Sequence, residues 1–315
     1  PTPTMEKAVF KATNKDCVTP KKKHVDRLVQ MTWMEPPASM AELFVVIEGR
    51  FSEPSWVISF KALILIHLLM QEGEPATVFD YLSRNSNVLD LHQFRDKNGT
   101  RCNKNIRLYA HYLIEKVNCY KDTQVDFVRD KYPSKTQIYG EGKLNIQRLL
   151  TEISYIQRQI YFFIDTVDNE VTFTAFRLLI RDLLKLFQAM NVGVIKMLKS
   201  YFIISYDDMR RSLELYKRFV KITDRVTDYL ENGRQLQASF GINIPLLNHA
   251  PVSLAISLEE YLQTPEARLP VAEKIKNQKG TSGPPTLPAS MAKNATAPTT
   301  FGGKPASKEP ASPTK

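Results

Sequence analysis

Three cysteines in 315 residues, Cys17, Cys102 and Cys119, are too few and too scattered for a disulfide framework or a thiolate metal site. Their odd number fits a reducing compartment. The five histidines, His24, His67, His92, His111 and His249, show no metal-ligand spacing, and no Ser-His-Asp, Cys-His or paired-carboxylate pattern can be picked out. Gly140-Glu141-Gly142-Lys143 starts like a phosphate loop, but Leu144 stands where a Ser or Thr is required, so it reads as a plain loop. An enzyme is therefore not expected, and neither a metal nor a cofactor is called for. The longest apolar run, Trp56 to Met70, is broken by Ser59, Lys61 and His67 and falls short of the ~20 residues that span a bilayer. It reads as a buried core helix, with His67 a satisfied core histidine. No signal-peptide pattern follows the opening Pro1-Thr2-Pro3-Thr4.

Strand alternation is scarce as well, and helical periodicity takes its place. Helices are predicted over Ala38–Gly49, Pro54–Gly73 and Pro75–Leu82, with Pro at starts and Gly at stops. An amphipathic segment covers Lys104–Arg129, and three long helices cover Leu144–Val167, Glu170–Phe202 and Asp207–Glu231, after a loop at Tyr132–Gly142. The apolar stripe Phe173, Phe176, Leu179, Ile180, Leu183, Leu184 and Phe187 is too wide for a two-stranded seam and suits packing on two sides. The fold class is all-α, with long helices packed antiparallel in a stack and no sequence repeat at fixed period. From Thr264 the text becomes rich in Pro, Ala, Lys, Ser and Thr, and residues 264–315 read as a disordered tail. The folded domain is then 1–263.

Net charge is +10, which points to an anionic partner. Residues 276–315 hold six lysines against Glu309 and so carry half of that excess. The helical part is only mildly basic, which disfavours nucleic acid. Its basic residues concentrate at one place, Thr19-Pro20-Lys21-Lys22-Lys23-His24. Thr as N-cap and Pro at the first helical position predict a helix starting here. Lysines in a first helical turn oppose the dipole, at ~0.3–1 kcal/mol each, but prepare a site for a phosphate-rich ligand. At ~100° per residue Lys21, His24 and Lys23 share one arc while Lys22 points elsewhere.

Lys11 precedes Lys21 by ten residues, so Lys11, Lys21, Lys23 and His24 fill the pattern lysine, nine residues, Lys-x-Lys/Arg-His/Tyr. Further matching text includes Ser55-Trp56-Val57, Phe60-Lys61-Ala62-Leu63, Tyr81-Leu82, Tyr112-Leu113, Ala175-Phe176 and Leu215-Tyr216-Lys217-Arg218-Phe219. In these residues the chain resembles the ANTH domain, the phosphoinositide-binding domain of clathrin-assembly endocytic adaptors, over about residues 7–262. The resemblance implies an ANTH/VHS-like superhelical stack of about ten helices. It also implies binding of phosphatidylinositol 4,5-bisphosphate at the plasma membrane by Lys11, Lys21, Lys23 and His24, in a shallow basic patch. Lys11 reaches that patch if Asn14–Val18 forms a tight turn.

The same resemblance implies a cytoplasmic protein peripheral to the plasma membrane and clathrin-coated pits and vesicles. Its implied partners are clathrin and its adaptor complex, an ENTH-domain epsin and a vesicle SNARE. Leu198 and Ile222, with Met197 and Val226, are the candidate SNARE groove, against a core role. The tail holds no Asn-Pro-Phe or Asp-Pro-Phe, and Val88-Leu89-Asp90-Leu91 only approximates a clathrin box. Glu6–Phe10 is the segment in question for membrane insertion. The rival reading is a helical scaffold that binds acidic protein or RNA through the same lysines, although no aromatic residue interleaves them.

Overall fold

Glu170 to Ser200 folds as one unbroken helix of 31 residues, about 46 Å long, and packs against the helices before and after it in the chain and against Trp56–Glu72. In the computed structural model residues 3–34, 39–130, 139–140, 143–162, 164, 167–234, 244, 247 and 250–278 are described. Among them eleven α-helices follow in order: α1 Pro3–Ala12, α2 Lys22–Thr32, α3 Met40–Phe51, α4 Trp56–Glu72, α5 Pro75–Arg84, α6 Thr100–Thr123, α7 Ile146–Gln159, α8 Glu170–Ser200, α9 Tyr206–Arg234, α10 Val252–Leu262 and α11 Val271–Gln278. A two-residue antiparallel pairing, Tyr139–Gly140 with Lys143–Leu144, precedes α7. Neighbouring helices pack successively, α1 on α2, α3 on α4, α5 on α6, α7 on α8 and α9 on α10, with α4 and α6 central. None of the described helices is long and apolar enough to cross a membrane.

Local chemistry sets the ends. Asn169 accepts from the Val171 and Thr172 N–H groups and forms a capping box at the start of α8. Gln124 adopts φ 58°, the left-handed conformation that stops α6 at Thr123, six residues before the predicted Arg129. Asp96 Oδ2 accepts from the Trp56 N–H at 2.7 Å, so a distant residue caps α4. The predicted helix Leu144–Val167 is shorter: it starts at Ile146 behind the Asn145 side chain, which accepts from the Arg148 N–H, and ends at Gln159 with Ile160 as C-cap.

Residues 264–278 correct the expectation of a tail from Thr264. Pro265–Arg268 forms a 3-10 turn with Ala267 fully buried, and α11 follows. The side chain that anchors α11 is Lys274, whose ammonium donates to the Ile204 carbonyl at 2.8 Å. Val271 and Ile275 are exposed, so composition gave no sign of this docking. Residues from 279 lie outside the described residues.

α4, α6 and α8 meet around a fully buried carboxylate, Asp182. His67 Nε2 donates to its Oδ2 at 2.8 Å, Tyr112 donates to the same oxygen at 2.5 Å, and Gln71 donates to Oδ1 at 2.6 Å. The His67 Nδ1 faces the Tyr109 hydroxyl at 2.8 Å, so this histidine is a satisfied core residue. Lys116, also buried, bonds Asp126 Oδ1 at 2.6 Å and lies 3.9 Å from Asp182. Burial alone would raise the Asp182 pKa, but His67 and Lys116 outweigh it and hold the carboxyl well below the usual range. Asp182→Asn should cost ~3–5 kcal/mol in urea denaturation, because it removes a buried charge that His67, Tyr112 and Gln71 all donate to and sets an amide N–H₂ against at least one of those donors. The depressed pKa places the wild-type contribution above the unfolded value of ~3.9 and removes it as pH falls below that. A loss under ~1 kcal/mol would show the network to be dispensable.

Candidate functional site

Lys21 serves as the N-cap residue of α2 and offers no side-chain acceptor, while Lys22, Lys23 and His24 fill the first turn, which contains no acid. The predicted N-cap, Thr19, is engaged elsewhere. Its N–H donates to Glu170 Oε1 at 2.8 Å and its hydroxyl lies 2.8 Å from that of Thr174, both on the first turn or so of α8. Helix α2 therefore begins two residues later than Thr19-Pro20 suggested. No side chain caps its first N–H groups, and lysines and a histidine fill its first turn, the arrangement an anion would stabilise.

Lys11 arrives from the last turn of α1. The corner between α1 and α2 is held at three places. Arg50 of α3 donates from Nε to the Thr13 hydroxyl at 2.9 Å and from a terminal nitrogen to the Thr13 carbonyl at 3.0 Å. Lys61 of α4, buried, donates to Asn14 Oδ1 at 2.5 Å and to the Asp16 carbonyl at 3.1 Å. Glu170 and Thr174 hold Thr19. The tight turn expected at Asn14–Val18 is thus built, and it brings Lys11 to the start of α2.

His24 reports the result. Its pKa is lowered, first by partial burial and then by the charges of Lys23, Lys11, Lys21 and Arg27. The three sequence-predicted lysines are thus all within electrostatic reach of His24. Lys11, Lys21 and Lys23 are exposed and His24 is half-buried. Arg27 joins them, a residue that the i, i+4 spacing from Lys23 would have revealed. Lys22 points to the other side, where it borders a cleft of about 430 Å³ with Thr19, Thr174, Arg177 and Leu178. Among the described residues no group of three His, Cys, Asp or Glu side chains could hold a metal.

Other sequence candidates fare differently. Leu198 and Ile222 are 5% and 2% exposed, and Met197 and Val226 are fully buried, so the expected SNARE groove is closed core in this structure. Helix α10 lies against this region, where Tyr216 and Tyr201 donate to the carbonyls of Pro251 and Leu258 at 2.9 and 3.1 Å. Val88 and Leu89 are buried in a 3-10 turn, which removes the clathrin-box likeness from the surface. In α1, Met5, Ala8, Val9 and Ala12 are buried and the large apolar side chain left exposed is Phe10, with the Arg50 guanidinium 4.4 Å above its ring.

Comparison with known proteins places this geometry in a family. The chain is 33% identical to the Phosphatidylinositol-binding clathrin assembly protein LAP of Drosophila melanogaster, over 91% of this chain and 64% of that protein. It is 34% identical to Clathrin coat assembly protein AP180 of Homo sapiens, over 89% of this chain and 31% of that protein. An ENTH domain-containing protein of Schizosaccharomyces pombe is 35% identical, over 88% of this chain and 43% of that protein. The chain therefore spans between about a third and two thirds of these relatives. Among solved structures, the ENTH domain from epsin-2 in complex with phosphatidylinositol 4,5-bisphosphate superposes with a TM-score of 0.51 at 24% identity, covering 77% of this chain and 96% of that one, a likeness of fold. The ANTH domain family model matches residues 4–264, and the chain belongs to the ANTH domain family.

Proposed function

We propose that this chain is the non-enzymatic membrane-reading domain of a clathrin adaptor, binding the headgroup of phosphatidylinositol 4,5-bisphosphate through Lys11, Lys21, Lys23 and His24. The observation that carries this reading is the convergence of those four residues on an uncapped, acid-free helix N-terminus. That arrangement costs folding energy without a ligand and is repaid by a multiply charged anion. The names of the relatives, which include clathrin assembly and phosphatidylinositol binding, support it. So does the lipid named with the epsin-2 ENTH domain. The site then sits at the cytoplasmic face of the plasma membrane, in coated pits. The scaffold reading through the same lysines is weaker, because the anion-ready backbone suits a compact phosphate cluster better than an extended polymer.

Lys21→Glu with Lys23→Glu should weaken binding to vesicles containing the bisphosphorylated lipid by at least ~30-fold, since each lysine near an anionic surface is worth about 1 kcal/mol. The melting temperature should hold or rise, as the first turn loses its clash with the dipole. At ~0.5 M salt, binding to that lipid should outlast binding to phosphatidylserine vesicles. Equal loss for both lipids would reduce the corner to a generic polybasic surface, and an unfolded variant would make the lysines structural.

The lowered pKa of His24 gives binding a proton linkage. The neighbouring lysines disfavour the imidazolium, a bound headgroup favours it, and so binding takes up a proton. Affinity should rise as pH falls from ~7.5 to ~6, by less than tenfold per unit for one proton. In His24→Gln that slope should vanish, and an unchanged slope in the variant would exclude His24 from the site.

The reading extends to assembly. A headgroup held on an open corner keeps part of its anionic face free, which a second basic domain of the epsin ENTH type can share. By linkage each partner then tightens the other's lipid binding by the same factor. Light scattering of this chain with an ENTH domain should show larger particles when soluble bisphosphorylated lipid is added, and equal scattering with and without it would leave this domain an independent reader. A vesicle SNARE needs a path to Leu198 and Ile222 that the closed core does not offer.

A further inference from the structure

A groove of about 260 Å³ runs between α7 and α9, far from the lysine corner. Its lining includes Leu150 and Leu215, both buried, and its walls hold Ser154, Arg210, Arg211, Glu214 and Arg218. Arg210, Glu214 and Arg218 follow at four-residue steps and share one face of α9. Glu214 lies 3.9 Å from Lys217 on the same helix. Arg211 is steadied by the Gln147 side chain and by Asp208, 3.8 Å away. Among the described residues the guanidinium groups of Arg210 and Arg218 have no partner. Three guanidiniums around an apolar floor, with one carboxylate among them, leave the groove net positive and suited to bidentate carboxylates.

Position narrows the occupant. Helix α8 starts beside the corner, where Glu170 holds Thr19, and runs ~46 Å before the chain turns back into α9. The return is antiparallel, since Tyr229 near the end of α9 bonds the Ile164 carbonyl at 2.9 Å and its ring lies 5.9 Å from that of Phe176. Arg210 and Arg218 therefore lie ~40 and ~28 Å along that axis from the start of α8. A single headgroup held at the corner does not reach them. The chain's own residues 279–315 hold five lysines and one glutamate, and a second copy is also net positive, so neither complements the groove. No aromatic side chain lines it for base stacking. The ~12 Å from Arg210 to Arg218 along α9 matches about four residues of extended peptide.

We propose that the α7–α9 groove docks an extended acidic peptide segment of a partner protein, its carboxylates on Arg210 and Arg218 and an apolar side chain over Leu150 and Leu215. This proposal stands apart from the lipid reading. Fluorescence anisotropy of the full chain with a labelled Glu-Asp-Leu-Glu-Asp peptide, beside its Gln-Asn-Leu-Gln-Asn analogue, tests it. The acidic peptide should bind and the amide analogue should not. Arg210→Gln with Arg218→Gln should weaken binding at least tenfold while melting temperature and vesicle binding stay at wild-type values. Equal binding of both peptides, or an unaffected double variant, would overturn the proposal. Peptide binding lost instead in the Lys21→Glu, Lys23→Glu chain would place the peptide at the corner and overturn it too. A uridine dodecamer that binds more tightly than the peptide and is lost with the two arginines would show a polyphosphate surface in place of a peptide site.

Discussion

The carboxylate of Asp182 has no water to turn to, and every oxygen contact it makes comes from a different turn of α4 or α6. A charge buried this way fixes the register of three helices together, because a shift of one turn in any of them would leave it unpaired. The apolar contacts around it are less discriminating, since leucines tolerate sliding better than a hydrogen-bonded ion does. The same helices then extend to the lysine corner. α4 carries His67 to the carboxylate and, six residues earlier, Lys61 to the α1–α2 turn. α8 carries Asp182 to the core and, twelve residues earlier, Glu170 to Thr19.

That continuity explains how a site made of long, exposed side chains can be placed at all. Lys11, Lys21 and Lys23 repel one another and the helix dipole, and an unsupported turn would let them part. Arg50, Lys61 and the Glu170–Thr174 pair hold the turn by its backbone and by short side chains, so the repulsion is borne by the core. Lys61 illustrates the cost. Burial lowers its pKa, Asp16 partly offsets that, and Lys21 adds to the lowering, so a cation is kept dry in order to keep another cation in place. Such an expense makes sense where an anion completes the site.

Legibility in the sequence divided along physical lines. Helix existence followed from periodicity, and the basic arc of α2 followed from spacing alone. The start of α2 did not, because Thr19 had two possible employments, a local cap or a tertiary pair, and only the proximity of α8 decides between them. Lys61 read as a flaw in an apolar helix, since its partners Asn14 and Asp16 are more than forty residues away in the chain. Helix α11 escaped because a lysine stem, with its ammonium on a carbonyl, does the burying that composition expects of an apolar residue. The groove candidates Leu198 and Ile222 showed the opposite difficulty: an apolar stripe looks the same whether its cover is a partner or a helix of the same chain.

Charge is also arranged by distance. The lysines at the start of α2 and the arginines near the start of α9 are separated by most of the length of α8, several times the ~8 Å over which salt at physiological strength lets exposed charges interact. Neither cluster therefore weakens the other by repulsion, and each meets its surroundings as an independent positive surface. The side chains differ accordingly. Lysines, as compact point charges, face outward at the corner, whereas the groove is walled by arginines, whose planar forks favour paired oxygens. A single long helix, set in register by one buried carboxylate, holds two positive surfaces far enough apart to be occupied at once.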